Sequence, residues 1–243
     1  MAILPVLDLM NGQIVRGIAG RRDEYRPVIS KLVDSAAPLA VAQALRAHFG
    51  FSEFYLADLD AIQQGRLAVR VYRQLREAGM RLWIDAGLRT AEDAAIDELM
   101  ANDAAGVIIG LESVAGPETL RDIAERVGLD RAVFSLDLKA GQPLGNVGKW
   151  PAADSWSIAA HAITTLAIRR LIVLDLARVG VGAGVGTEDL CARLKHAFPH
   201  LELTAGGGVR GIDDVRRLTA CGVDRVLVAS ALHDGRIKPH DVP

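Results

Sequence analysis

Short, almost wholly apolar segments alternate with longer amphipathic segments along the whole chain. The apolar segments predict eight β-strands, and most lack an apolar and polar alternation, as expected for a parallel sheet covered on both faces. The predicted strands are residues 2–9, 54–59, 81–86, 106–110, 132–138, 170–176, 201–206 and 225–230. Eight strand and helix units within 243 residues favour one domain, a single (β/α)8 (TIM) barrel, over an open doubly wound sheet.

The amphipathic segments between the strands predict helices. Clear examples are residues 34–50, 66–79, 90–103, 116–128 and 212–222. Thr90 and Pro117, each followed closely by glutamate, are typical of helix starts. Glycine is typical of helix ends, and the candidates are Gly50, Gly79, Gly128 and Gly222.

The first predicted strand and its turn recur halfway along the chain. VLDLMNGQ (6–13) matches SLDLKAGQ (135–142), which places Asp8 and Asp137 129 residues apart. AGLRTAED (86–93) matches GGVRGIDD (207–214) at a spacing of 121 residues. Matches in the same order at nearly one spacing indicate an internal duplication, with half-barrels of about 1–125 and 126–243.

In a barrel of two such halves, the first and fifth strands stand on opposite sides. Active sites of these barrels lie at the carboxyl ends of the strands. Asp8 and Asp137 come near the ends of the first and fifth strands, so their carboxyls are expected to face each other across the mouth. One ionised and one protonated carboxyl form the pair that acid/base catalysis requires, so the sequence predicts both as catalytic residues.

The segment TAGGGVRG (204–211) follows the seventh predicted strand. Gly206, Gly207 and Gly208 allow backbone N–H groups to approach an anion closely, and a helix N-terminus follows them. The eighth strand ends in the small residues Ala229 and Ser230. Because the loops after strands seven and eight often form a phosphate site in barrels, these five residues predict one, with a small phosphorylated metabolite as ligand.

Composition and charge argue against several kinds of partner. The formal net charge is −2 and Lys and Arg are not clustered, which argues against nucleic acid. No apolar run reaches the length of a membrane span and the N-terminus has no secretory pattern, so we expect a soluble, cytoplasmic protein. The histidines and the two cysteines lack metal-ligand spacing, so no metal site is predicted. The sequence predicts no oligomeric state.

Seven segments together resemble the HisA/HisF family of histidine-biosynthesis barrels, and the first turn is more similar to HisA. They are LPVLDLMNGQIVRG (4–17), YLADLDA (55–61), AGLRTAED (86–93), SLDLKAG (135–141), LDLAR (174–178), AGGGVRGIDDV (205–215) and VLVASAL (226–232). The resemblance implies an Amadori rearrangement of an aminoaldose to an aminoketose, which needs no cofactor. One group protonates the ring oxygen, a base removes the proton at the second sugar carbon, and a phosphate at each end positions the substrate.

The resemblance also implies residues that contact the substrate. Arg16 and Arg89 match substrate-binding arginines of the isomerases, and Trp150 matches a tryptophan that stacks on the substrate. The sequence DLK, which ends at Lys139, is similar to the HisF cyclase at this position. Asp175 adds a carboxylate near the mouth of the barrel. We expect Lys139 and Asp175 to bind substrate as well.

The chain departs from the family pattern at three places, one of which is the second phosphate site, where Ala229 and Ser230 replace the usual Gly and Lys-like or small residues while the glycines are kept. Val179 stands where the family has a second catalytic aspartate after the sixth strand. In the first half, Asp85, Leu111 and Glu112 replace residues of a phosphate site, and the two carboxylates would repel phosphate. We therefore expect one working phosphate site and one that is lost or has another use.

Three functions remain open from the sequence. The first is a divergent HisA-like enzyme that acts on a smaller phosphorylated substrate by acid/base catalysis. Because paralogues of this kind accompany one-carbon (methanopterin-type) pathways, the resemblance implies a link to that metabolism. The second is the authentic isomerase of histidine biosynthesis. The third is a pseudo-enzyme that binds a phosphorylated ligand without catalysis.

Overall fold

A computed structural model describes residues 2–182 and 184–242. Eight parallel strands form a barrel, and in barrel order they are β1 (Ala2–Met10), β4 (Glu53–Asp58), β5 (Arg81–Asp85), β6 (Gly106–Gly110), β7 (Ala132–Lys139), β9 (Arg170–Asp175), β10 (Glu202–Gly206) and β11 (Arg225–Val228). The barrel is closed because β11 pairs with β1, from Ala2 and Arg225 to Pro5 and Val228. The predicted (β/α)8 barrel is confirmed.

Helices cover the outside of the barrel. They are α1 (Pro38–Phe49), α2 (Leu59–Gln64), α3 (Val69–Glu77), α4 (Ala95–Ala101), α5 (Pro117–Val127), α6 (Ser155–Thr164), α7 (Glu188–Ala197), α8 (Ile212–Ala220) and the short α9 (Ser230–His233). Pro117 begins α5, and α1 and α5 end at Gly50 and Gly128 as predicted. Gly79 and Gly222 lie one residue beyond the caps of α3 and α8.

The predicted helix start at Thr90 is wrong. The carbonyl oxygen of Thr90 accepts the N–H of Asp93 in a turn, at 3.3 Å between N and O. The Asp93 carboxylate in turn accepts the N–H of Ala95 at 3.0 Å, so α4 begins one turn later than its sequence pattern suggests. Asp93 is therefore the residue that satisfies the start of this helix.

The two turns that prompted the duplication hypothesis have the same backbone conformation. After β1, Asn11 and Gly12 have φ values of 51° and 74°, and after β7, Ala140 and Gly141 have 53° and 79°. Each turn leads into a short antiparallel strand, β2 (Gln13–Arg16) or β8 (Gln142–Pro143). In the barrel order β1 and β7 are four strands apart, and so diametrically opposite. The duplication itself stays an interpretation of the sequence.

The N-terminal end of the barrel is closed around Trp83 of β5. The Trp83 side chain is fully buried, and the guanidinium carbons of Arg170 and Arg225 lie 4.2 and 5.0 Å from its ring centroid. Glu202 pairs with both arginines, and Glu53 accepts the indole N–H of Trp83 at 3.0 Å. These cation–π contacts and ion pairs connect β4, β5, β9, β10 and β11 at the end opposite the strand carboxyl ends. The charged groups at this end therefore serve to close the barrel.

A short antiparallel strand β3 (Arg26–Pro27) extends the β1–β2 hairpin over the mouth. Throughout residues 2–182 and 184–242, none of the helices combines the length and the apolar character that crossing a bilayer requires.

Replacing Trp83 by alanine is expected to reduce the free energy of unfolding by about 3–5 kcal/mol, because the variant loses ring packing and both cation–π contacts. Urea denaturation measures the change, and Trp83→Phe, which keeps a ring, should lose less. Trp156→Ala, at a partly buried position on α6, is the control with a smaller loss. A Trp83→Ala loss below that of Trp156→Ala would contradict this role.

Candidate active site

A cavity of about 270 Å³ opens at the carboxyl ends of the barrel strands. We call it the central cavity. Asp8 of β1 and Asp137 of β7 line it from opposite strands, as the sequence predicted. Apolar side chains form much of the remaining wall and limit the access of water to the carboxyls; they include Val6, Leu59, Leu144, Leu174, Leu176, Val179 and Leu227.

Asp137 is buried, with 6% of its surface exposed. Its Oδ1 accepts the Ser135 hydroxyl at 2.7 Å, and its Oδ2 accepts the N–H of Glu112 at 3.3 Å. Burial raises the pKa of Asp137 to about 8, against the opposing effect of the Ser135 hydrogen bond and with a further increase from the charges of Glu112 and Asp85. Near neutral pH Asp137 therefore retains its proton in most molecules.

Asp8 lies beside Gly17, Val179 and Tyr25. A methyl group added at Gly17 would lie 3.0 Å from Asp8 Oδ2, 3.2 Å from Val179 Cγ1 and 3.5 Å from Tyr25 Oη, so glycine leaves room for the carboxyl. Burial raises the pKa of Asp8 to about 7, although the positive charge of Arg22 opposes the rise. The negative charge of Asp85 adds to it.

A third carboxyl, Asp85, enters the central cavity from the end of β5. Its Oδ2 accepts the Tyr55 hydroxyl at 3.1 Å and its Oδ1 accepts the N–H of Gly87 at 3.1 Å. Burial raises the pKa of Asp85 to about 6. Glu112 is the fourth carboxyl that lines the central cavity, and it pairs with Arg22 at 3.1 Å between Oε1 and Nη2. We call Asp8, Asp85, Glu112 and Asp137 the carboxyl cluster.

The carboxyl cluster can donate and accept protons at neutral pH. Because Asp8 and Asp137 titrate near pH 7 and 8, one is largely protonated while the other is partly ionised in that interval. The charges within the cluster act on one another, so the protons belong to the group as a whole. Two carboxyls in different protonation states on opposite sides of a cavity suit a reaction in which one proton is given and another removed.

The predicted glycine turn follows β10, across the central cavity from Asp85 and Glu112. Gly207 and Gly208 line the cavity with Ala229 and Ser230, and we call these residues with Gly206 the glycine cradle. Gly207 has φ of 93°, and a Cβ there would lie 2.6 Å from the carbonyl oxygen of Asp175, so glycine is required. Within residues 2–182 and 184–242, the N–H groups of Gly207 and Gly208 donate to no protein acceptor. Gly206 packs against Leu227 and does not face the cavity.

The structure brings only one of the other predicted substrate-binding residues to the central cavity. Lys139 lines it at the end of β7. Arg16 forms two hydrogen bonds with Asp234, at 3.0 and 3.1 Å, and faces a smaller neighbouring cavity. Arg89 donates to the carbonyl of Ile62 at 3.2 Å and lines a separate surface cavity.

Trp150 and Asp175 also lie away from the central cavity. Trp150 is 6% exposed and stacks on Phe134 with ring centroids 5.7 Å apart. Asp175 is 2% exposed, and its carboxylate accepts the N–H groups of Ala140 and Gly141 at 3.0 and 2.9 Å. In this structure Asp175 therefore fixes the turn after β7, and the substrate-binding role of both residues stays a prediction.

Sequence reasoning missed four residues of the cavity wall or its immediate support. Tyr55 and Ser135 hold carboxyls, and both occupy strand positions two or more residues before the strand end, where an inward direction follows from the period of two. Arg22 begins a short 3-10 helix (Arg22–Glu24) and Arg236 comes from a loop, and no local pattern places either at the cavity. Among the described residues, no group of three His, Cys, Asp or Glu side chains has an arrangement that would hold a metal ion.

A (β/α)8 barrel with opposed titratable carboxyls and a glycine cradle at the carboxyl end of its strands has the construction of a barrel enzyme. The chain belongs to the family described as histidine biosynthesis protein, whose model matches residues 2–238. The resemblance expected from the sequence is thereby confirmed, and the chain is an isomerase-like enzyme of this family.

Relatives match over nearly their full lengths. A phosphoribosyl imidazole-4-carboxamide isomerase of Thermus thermophilus is 30% identical over 241 residues, 98% of this chain and 97% of the relative. The corresponding isomerase of Leuconostoc mesenteroides is 28% identical over 238 residues, 97% and 95% of the two chains. A protein of Methanocaldococcus jannaschii described as uncharacterized is 29% identical over 238 residues, 97% and 94%.

Stability should fall as the pH rises from about 4 to about 8, because folded Asp137 holds a proton that the unfolded chain releases above its usual pKa of 3.8. Each unit of pKa difference is equivalent to about 1.4 kcal/mol. Asp137→Asn cannot ionise, so urea denaturation across this range should show a smaller decrease for it than for the wild type. The exposed Asp213→Asn is the control. An equal pH dependence in Asp137→Asn and the wild type would contradict the protonated state.

Proposed function

We propose that this protein is a HisA-like acid/base enzyme for a small sugar phosphate that carries one phosphate group. The observation that carries the proposal is the difference between the two sides of the central cavity. The wall at β10 and β11 presents the glycine cradle, and the wall across from it, at the ends of β5 and β6, presents Asp85 and Glu112. A single anionic group is therefore accommodated at one end, while the reacting carbon lies among the carboxyls.

The phosphate site that the family pattern predicts in the first half of the barrel, after β5 and β6, is unsuited to phosphate in this chain. The N–H groups of Gly87 and Glu112, which lie at the ends of β5 and β6, donate to Asp85 and Asp137. Anion sites built from backbone need such donors to point at the ligand. Here the donors hold carboxyl groups of the protein, and Asp85 and Glu112 add negative charge where a phosphate would bring two more.

The size of the central cavity also favours a small substrate. Its volume of about 270 Å³ lies just below the common range of about 300–1,000 Å³ for ligand pockets. The isomerase relatives are named for a compound with two phosphoribosyl groups. A molecule of that length would need a second phosphate position, which the carboxyl cluster occupies.

The carboxyls have different tasks in this reaction. With its pKa of about 7, Asp8 is the base that removes the proton beside the carbonyl or imine carbon, and this produces an enol or enolamine. With its pKa of about 8, Asp137 donates a proton to the sugar oxygen as the ring opens. Return of a proton to the first carbon completes the isomerisation, so no oxidant or reductant is consumed. The side chain of Val179 lies beside Gly17 and Asp8. It helps to exclude water from the Asp8 carboxyl and transfers no proton.

Two alternatives remain distinct from this proposal. The authentic histidine-pathway isomerase has the support of the relatives' names. A binding protein without catalysis has the support of Val179, which replaces the aspartate that the resemblance led us to expect. The proposed link to one-carbon (methanopterin-type) metabolism rests on the resemblance alone and stays a prediction.

Binding and complementation distinguish the proposal from the histidine-pathway reaction. Calorimetric titration with ribose 5-phosphate should show one site per chain, and the gene should fail to restore histidine-independent growth to a strain lacking the isomerase. A strain carrying a HisA isomerase gene is the positive control. Restored growth would contradict the small substrate and support the authentic isomerase, whereas absence of any binding of sugar monophosphates would contradict the single phosphate site.

Deuterium exchange distinguishes catalysis from binding alone. Incubation with small aldose phosphates in D₂O should replace the proton at the second carbon with deuterium for at least one compound, as detected by proton NMR. Asp8→Asn should slow this exchange by about 10²–10⁴-fold, because the base is lost, while ligand affinity changes little. The exchange rate of the wild type should rise through pH 7 as Asp8 ionises. Binding without exchange in the wild type would support the pseudo-enzyme instead.

A further inference from the structure

Arg236 reaches the central cavity from the loop after α9. Its Nη1 donates to the carbonyl of Arg210 at 2.7 Å, and its Nη2 donates to the Ser230 hydroxyl at 3.1 Å and to Asp234 Oδ2 at 2.9 Å. The side chain is 36% exposed and lines the cavity together with Gly207, Gly208 and Ser230. A guanidinium held in this way places positive charge beside the glycine cradle in a defined orientation.

Asp234 connects this arginine to the opposite half of the chain. Its carboxylate accepts Arg16 Nη1 on Oδ1 and Arg16 Nη2 on Oδ2, while Oδ2 also accepts Arg236. Burial acts to raise the pKa of Asp234, but the hydrogen bonds from Arg16 and Arg236 outweigh it and lower the pKa overall. The three side chains, which we call the Arg16–Asp234–Arg236 triad, carry a net charge of about +1 at neutral pH.

We propose that Arg236 is the side chain that binds the phosphate in the glycine cradle, and that Arg16 is a positioning residue that orients Arg236 through Asp234. The proposal rests on the proposed function, since it assigns the residues of the same phosphate site. Arg16 does not line the central cavity, and its two bonds to Asp234 occupy one edge of its guanidinium. Its influence on a bound phosphate therefore passes through the shared carboxylate.

The neighbouring arginine has a different arrangement. Arg210 forms two bonds with Asp214, from Nε to Oδ2 at 3.0 Å and from Nη2 to Oδ1 at 2.8 Å, and it does not line the central cavity. Asp214 is buried and fixes Arg210 at the start of α8. Asp214 is shared as well, since Arg217 Nη2 also donates to its Oδ1, so the two arginines differ in location. Arg236 lines the central cavity beside Ser230, whereas Arg210 does not, and only Arg236 can present its charge to a ligand there.

Ser230 completes the geometry. Its hydroxyl accepts a hydrogen bond from Arg236, so its own proton remains available to a phosphate oxygen. Gly207 and Gly208 line the same space, and within residues 2–182 and 184–242 their N–H groups have no protein acceptor. Backbone donors, one hydroxyl and one guanidinium then converge on a dianion, a combination that suits phosphate better than a planar carboxylate.

The test is calorimetric titration of the full-length protein with inorganic phosphate and with ribose 5-phosphate at fixed ionic strength. Arg236→Ala should weaken binding of both by about tenfold or more, since a charge-assisted contact is lost, and Arg236→Lys should lose less. Arg16→Ala should weaken binding by a smaller factor. Arg216→Ala is the control: it removes the same charge from an exposed arginine that pairs with Asp213 on α8, and it should bind as the wild type does.

A double-variant cycle separates positioning from a general loss of charge or of structure. If Arg16 acts through Arg236, Arg16→Ala should have little further effect on phosphate affinity once Arg236→Ala is present. An unchanged thermal midpoint in each single variant excludes unfolding as the cause. If Arg16→Ala lowered the phosphate affinity by the same factor in the wild type and in Arg236→Ala, the positioning role of Arg16 would be overturned.

The outcomes also separate this inference from the proposed function. Phosphate affinity equal to the wild type in both Arg236→Ala and Arg236→Lys would overturn the role of Arg236 and leave the single phosphate site in place. Absence of binding of either probe to the wild type would reject the proposed phosphate site and this inference together.

Discussion

Removal of carboxyl groups from water is the constraint on which the site depends. A carboxylate in an apolar, narrow space loses hydration that neighbouring dipoles replace only in part, so its pKa rises. Asp8, Asp85 and Asp137 are all in this condition, and burial is the largest cause in each case. The barrel creates it by bringing eight strand ends to one rim and lining that rim with leucine and valine. Proton transfer at neutral pH then needs neither a histidine nor a metal ion in the mechanism proposed here.

The two halves of the barrel use the same positions for opposite purposes. After β5 and β6, backbone N–H groups donate to the carboxyl groups of Asp85 and Asp137. After β10, Gly207 and Gly208 line the cavity, and within residues 2–182 and 184–242 their N–H groups have no protein acceptor. The difference follows from single side chains at strand ends, because an aspartate in place of a glycine both uses the donor and reverses the local charge. The two halves of the barrel therefore give the cavity two different sides. One side binds an anion, and the side across from it carries carboxyl groups.

Periodic patterns predicted the parts of the molecule that depend on local chemistry. The eight strands, their parallel order and the placement of Asp8 and Asp137 follow from apolar runs, strand ends and the topology of a barrel. The glycine turn was also predictable, because Gly207 is the residue type that its backbone requires. The prediction at Thr90 was wrong because the start of α4 depends on a hydrogen bond that the Asp93 carboxylate accepts from the N–H of Ala95. The helical period of the sequence does not reveal that bond.

Contacts between distant segments set the limit of prediction. Arg16 and Asp234 are 218 residues apart, and nothing in either segment indicates that a carboxylate will meet that guanidinium. Trp150 and Asp175 were assigned from motif position, yet packing against Phe134 and the turn after β7 decides where they lie here. The positions of these side chains depend on the paths that loops take across the mouth of the barrel. The periodic pattern of apolar residues does not determine those paths.

A crystal structure of the protein grown with arsenate most directly tests the central claim that the mouth has one anion-binding end. Arsenate has the shape and charge of phosphate, and its anomalous scattering locates it without ambiguity. The account predicts one site, with oxygens in contact with the N–H groups of Gly207 and Gly208, Ser230 and Arg236, and none beside Asp85 and Glu112. Arsenate at both ends of the cavity, or beside Asp85 alone, would contradict it.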